Sequence, residues 1–127
     1  MNEKKSNTPE EVLARFLACW KERQWDKMVE FTQLSWVDAC DDPVEMLKGT
    51  FSYKPLKITV VGAEKISDVA YKAVLDIAYA PARGVITNMK VEARVICEAV
   101  PMQPDPNGVW GVNPESLWNR IDGEKTG

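Results

Sequence analysis

Between residues 88 and 99 apolar and polar side chains alternate: Met89, Val91, Ala93, Val95, Cys97 and Ala99 fall on one face of an extended chain, Asn88, Lys90, Glu92, Arg94 and Glu98 on the other. A period of two over so long a run fits a strand with one face on a core, whereas a helix would scatter the same residues around its axis. Val69 to Tyr79 repeats the pattern, with Val69, Tyr71, Ala73, Leu75, Ile77 and Tyr79 facing inward against Lys72 and Asp76. A third run places Leu56, Ile58, Val60 and Ile66 opposite Lys57, Thr59 and Lys65. Pro81-Ala82-Arg83-Gly84 and Asp105-Pro106-Asn107-Gly108 supply the fixed φ and the positive-φ residues of tight reversals. The expectation is an antiparallel meander closed by a short strand, Val109 to Val112. The segment from Glu115 to Ile121 fits either a further strand or one helical turn.

Ahead of the strands the period is helical. Thr8-Pro9-Glu10-Glu11 and Asp42-Pro43-Val44-Glu45 are matching helix starts: a cap oxygen for the N3 amide, Pro at the first helical position, and Glu at N3. Val12, Leu13, Phe16, Leu17 and Trp20 line one face after the first start. A second helical pattern runs from Trp25-Asp26 through Met28, Val29, Phe31, Thr32 and Leu34. A third helix begins at Pro43, turns Val44 and Leu47 inward, and is expected to be capped by Gly49 and to end before Phe51. Helices first and sheet second is an α+β arrangement, with one sheet face on the helices. At 127 residues the chain suits one domain, with a core over about residues 8–121, burying roughly 65–70% of its unfolded surface.

A net charge of −3 with scattered Lys and Arg gives no field for phosphates, so nucleic acid is not expected as a partner. No apolar run reaches the ~18 residues of a membrane span, and no export signal is expected, which points to the cytoplasm. Cys19, Cys40 and Cys97 are odd in number and far apart, as suits reduced thiols. The absence of His rules out a Ser-His-Asp triad, and with no closely spaced Cys a zinc site is not expected. Asp38, Asp41, Asp42 and Glu45 lack the glycine and distal Glu of a calcium loop. No metal or cofactor is expected, and no catalytic residue is assigned.

The opening Pro9-Glu10-Glu11-Val12-Leu13-Ala14-Arg15-Phe16-Leu17-Ala18-Cys19-Trp20, followed by Gln24-Trp25-Asp26-Lys27-Met28 and closed by Gly108-Val109-Trp110-Gly111-Val112, resembles nuclear-transport-factor-2-like domains, in particular their lumazine-binding-like bacterial branch. The resemblance spans roughly residues 8 to 113. It implies a cystatin-like α+β cone, with the N-terminal helices packed in the concave face of a curved antiparallel sheet, a pocket at the wide end, and a homodimer formed through the sheet face. It also implies that an enzyme of this kind would carry inward carboxylates or a Tyr donor, and the cleanest strand places no carboxylate inward.

Tyr71 and Tyr79 are the inward polar pair, and Trp36, Trp110 and Trp118 lie near element ends, where large rings line cavity mouths. These five are the candidate pocket lining, although aromatic residues on a strand face more often serve packing. On the outer sheet face Val61, Ala63, Val74, Ala78 and Ile96 interrupt the polar positions, which motivates the homodimer. The reading is a non-catalytic module that holds a small apolar ligand or a protein partner. The alternative is an isomerase- or dehydratase-type enzyme using Tyr71 or Tyr79 with Asp76 or Glu64.

Overall fold

The computed structural model describes residues 8–52, 54–82, 84–118 and 121. Both helix starts form as their caps dictate. The Thr8 side chain accepts from the Glu11 amide at the head of α1 (Pro9–Glu22), and that of Asp42 accepts from the Glu45 amide at the head of α4 (Pro43–Thr50), both at 3.2 Å. Helix α1 buries Val12, Leu13, Phe16, Leu17 and Trp20 and ends at Arg23, whose φ of 60° turns its amide back onto the Cys19 and Trp20 carbonyls.

The second helical pattern is broken in two, α2 (Trp25–Val29) and α3 (Leu34–Asp38). Tertiary pairing explains the break. The Val112 amide donates to the Phe31 carbonyl at 2.8 Å and the Gln33 amide to the Val112 carbonyl at 2.9 Å, so residues 31–33 satisfy their main chain against a strand. The helix at Pro43 is therefore the fourth, and it runs through Gly49 to Thr50, with Phe51 rather than Gly49 as its C-cap.

Among the described residues the curved sheet has five strands: β1 (Lys57–Ser67), β2 (Ala70–Ala82), β3 (Val85–Val100), β4 (Gln103–Pro104) and β5 (Val109–Asn113). β1, β2 and β3 form the expected meander, but β5 pairs with β3 and not with β4. The Cys97 amide donates to the Val69 carbonyl while the Cys97 carbonyl accepts from the Asp105 amide. In an extended residue both groups point the same way, so β4 continues the β2 edge of β3 and β5 takes the other. Of the first reversal, Gly84 is left-handed, with φ 77°, and Arg83 lies outside the described residues. Pro114–Trp118 is a 3-10 turn, which settles the form of that part of the tail.

In β2 and β3 the inner residues Tyr71, Ala73, Leu75, Ile77, Met89, Val91, Ala93, Val95 and Cys97 are buried as the alternation requires, but towards the ends of the runs Val69 and Tyr79 are only half-buried and Ala99 is exposed. β1 departs from it. Val60 opposes Leu75 and Gly62 opposes Val74, so Val61 is an inserted residue, and a second insertion follows at Ile66. Each bulge moves the following side chains to the other face. Lys65 thus comes opposite Tyr71, on the inner side, and Ala63 comes opposite Ala73, leaving the outer face to which the alternation assigned it. β1 stays exposed along most of its length, with Val60, Val61 and Ile66, and Leu56 just ahead of it, about half accessible.

The core lies between the helices and the inner face of β2, β3 and β5. Trp20, Phe16, Phe51, Met28, Leu47, Leu75, Ile77, Val91, Val95, Val112 and Leu117 are fully enclosed there, each large side chain contributing about 1.5–3 kcal/mol.

Candidate functional site

Glu98 belongs to the polar register of β3, yet it is only 2% exposed. The cause is α3. Its N-cap residue, Gln33, makes no side-chain cap bond, so the first turn needs an acceptor from elsewhere. The Glu98 carboxylate supplies it. The Ser35 amide donates to Oε1 at 3.0 Å, the Ser35 hydroxyl to Oε2 at 2.6 Å, and Gln33 Nε2 to Oε2 at 3.2 Å. An anion at a helix N-terminus also meets the positive end of the helix dipole, and hydrogen bonds to a charged group contribute about 1.5–3 kcal/mol each. The Ser35 hydroxyl in turn accepts from the Met102 amide at 2.7 Å, which helps hold Met102 at its φ of 71° in the turn between β3 and β4.

A second set of bonds reaches the same place from β5. Asn113 Nδ2 donates to Gln33 Oε1 at 2.8 Å, and Asn113 Oδ1 accepts from the Ser116 amide at 3.1 Å. The Ser116 hydroxyl donates to the Asn113 carbonyl at 2.6 Å and accepts from the Arg94 amide at 2.8 Å. α3, β3, β5 and the 3-10 turn are thus tied together around a cleft of about 670 Å³. Ile96, Met102 and Pro104 give it apolar wall, Glu98 and Ser116 lie buried along it, and Arg94 and Glu115 are exposed at its rim. The Arg94 guanidinium is engaged by Glu92. Glu98 has no ion pair among the described residues, and three of the roughly four acceptor positions of a carboxylate are filled. The arrangement suits holding a hydrogen-bond donor against an apolar wall.

The five aromatic residues proposed from the sequence lie elsewhere. Tyr71, 5% exposed, is in the core, and its hydroxyl is pushed above the usual tyrosine range first by burial and then by Glu10. Tyr79 and Trp110 pack half-buried against the core, and Trp36 is buried within α3. Trp118, 38% exposed, stacks on Phe51 with centroids 6.0 Å apart. None of the five lines the cleft, although Trp36 follows Ser35 directly. Asp76 pairs with Thr59 and Lys90, and Glu64 with Lys72, on the sheet face opposite Tyr71; Asp76 accepts from Asn88 at 3.0 Å. The Tyr and carboxylate groups of the alternative enzyme are therefore not brought together. Sequence reasoning missed Gln33, Ser35, Glu98, Asn113 and Ser116. Only Asn113-Pro114, a turn-initiating dipeptide, signals the region locally.

Cys19 and Cys97 are buried and Cys40 half-buried, all three unbridged. Burial is the largest cause raising each thiol above its ordinary range; at Cys97 a hydrogen bond from the Gly108 backbone works against it. With Tyr71 these are acids whose folded pKa exceeds the unfolded one, so the folded chain binds more protons once the unfolded thiols titrate. Stability is expected to be insensitive to these groups through neutral pH and to fall from about pH 8.5 upward. Urea unfolding midpoints between pH 7 and pH 10 check this, and a midpoint that rises over that interval contradicts it.

No family model and no curated protein matches this chain. Its fold is similar to that of a SEC-C motif containing protein from Psychrobacter arcticus, with a TM-score of 0.66 at 10% sequence identity, over 88% of this chain and 62% of that one. At that identity the likeness concerns fold alone: an α+β domain with helices on one face of a curved antiparallel sheet. The expected membership of the nuclear-transport-factor-2-like superfamily is thereby corrected, since the structural likeness is to a SEC-C motif containing protein and no family or curated match supports that assignment. The motifs that suggested it are packing positions: Val12, Leu13, Phe16, Leu17, Trp20, Trp25 and Met28 are all buried against the core. Any chain folding a helix over this sheet needs apolar residues at such spacing.

Proposed function

We propose that the chain is a non-catalytic binding module whose cleft takes a small, mainly apolar ligand bearing one hydrogen-bond donor. The observation that carries this reading is the Glu98 carboxylate, almost fully buried beside the cleft, hydrogen-bonded and without an ion pair among the described residues. The donor of the ligand takes the acceptor position that remains, and the apolar body lies on Ile96, Met102 and Pro104. Gln33, Ser35, Asn113 and Ser116 are hydrogen-bonded to Glu98, to one another or to the main chain around the cleft, and Arg94 to Glu92, which supports holding rather than proton transfer.

Ethylbenzene and 2-phenylethanol differ in a single hydroxyl donor on the same apolar body, and phenethylamine, an ammonium ion at neutral pH, adds a positive charge to the donor. Binding measured by native mass and tryptophan emission is expected to rank the amine and the alcohol at least about tenfold above the hydrocarbon, the ratio expected of one hydrogen bond to a charged acceptor. Ile96→Trp, which fills the cleft without touching the α3 cap, is expected to abolish binding and leave the melting temperature within a few degrees. Equal affinity for all three probes, or unchanged binding by Ile96→Trp, contradicts the reading.

A further inference from the structure

β1 is the edge of the sheet, pairing only with β2 among the described residues. It is 11 residues long and about half exposed at Val60 (53%) and Val61 (51%). A long, apolar, unpaired edge is a template for another strand.

The bulge selects which strand. In a regular strand Lys57 and Glu64, seven positions apart, would point to opposite faces. The extra residue at Val61 puts them on the same one: Lys57 opposes Ala78 and Glu64 opposes Lys72, both outer positions of β2. Residues 57–64 are then self-complementary when laid antiparallel on a second copy. Lys57 meets Glu64, Ile58 meets Ala63, Thr59 meets Gly62 and Val60 meets Val61. Ile58 and Ala63 share the inner face, as partners of Ile77 and Ala73, and Thr59 and Gly62 share the outer, as partners of Asp76 and Val74. Moving the register by one opposes Lys57, on the outer face, to Lys65 or to Ala63, both on the inner face, so the two pleats no longer match and that register is disfavoured. Glu64 makes only a 3.9 Å contact with Lys72, and Lys57 has no ion pair among the described residues.

We infer that β1 is a self-association strand, pairing with β1 of a second copy about a two-fold axis at Val60–Val61 and joining the two sheets edge to edge. This is independent of the cleft, which lies at the β3 and β5 side of the sheet.

The test is sedimentation of the full chain over a concentration series, with Lys57→Glu and Glu64→Lys variants whose folding is checked by circular dichroism. The wild type is expected to dimerise. Each variant, carrying two like-charge contacts per dimer, is expected to dimerise about tenfold more weakly. An equimolar mixture is expected to recover the wild-type affinity, because in the mixed dimer both contacts are again between opposite charges. Local damage to either variant cannot produce that recovery. A wild type that stays monomeric up to about 100 μM, variants that dimerise as well as the wild type, or a mixture no tighter than its components would each overturn the inference.

Discussion

Replacing Phe51 by Ala is expected to lower the unfolding free energy by about 4 kcal/mol. Phe51 is fully buried where α4 ends, with its ring 5.7 Å from Phe16, 4.8 Å from Trp20 and 6.0 Å from Trp118, centroid to centroid. Truncation loses the transfer energy of the ring, leaves a cavity that two rings of α1 cannot fill without leaving the sheet, and removes aromatic pairs each contributing roughly 0.5–1.5 kcal/mol. Against a total of about 5–15 kcal/mol for a typical domain the loss is large. Urea unfolding followed by tryptophan emission measures it, and Phe51→Leu, which refills most of the space, is expected to recover more than half. A loss under about 1 kcal/mol for Phe51→Ala would mean that the ring cluster is not an organising part of the core.

Gly111→Ala is expected to destabilise by about 3 kcal/mol or more, by crowding rather than by loss of contacts. A Cβ at Gly111 would stand 2.6 Å from both the Cα and the N of Gln33 and 2.7 Å from the carbonyl carbon of Thr32. These are backbone atoms, held by the bonds of Phe31 and Gln33 to Val112, so they cannot withdraw without opening the seam between the helical layer and β5. Gln33 is also the residue that binds Glu98 and Asn113, so the same change is expected to weaken ligand binding in the cleft. Gly49→Ala is the matched control: a Cβ there meets nothing within 4 Å, and in a helix the change is expected to stabilise by about 0.5–1 kcal/mol. Equal effects at the two positions would contradict the crowding argument.

The residues that declared themselves in the sequence act over short range. The Thr8 and Asp42 caps lie three residues from the amides they bind, and the alternation in β2 and β3 is set by the pleat alone. What stayed hidden depends on residues far apart. The break at residues 31–33 is made by Val112, and the burial of Glu98 is made by Ser35, 63 positions away. The bulges in β1 leave no mark in composition, since Val61 and Ile66 are ordinary strand residues and only the pairing with β2 reveals that they are inserted. Gly49 read as a helix stop because glycine favours C-caps, yet the helix continues past it. The family resemblance failed for a related reason: it rested on residues that answer to packing, which many folds share.

The binding site is the central claim, and amide chemical-shift mapping of the 15N-labelled chain with phenethylamine tests it most directly. Saturable shifts are expected to concentrate at Gln33, Ser35, Ile96, Glu98, Met102 and Ser116, residues around the cleft. Shifts gathered at Tyr71, Tyr79 and the core instead, or none at saturating probe, would contradict it.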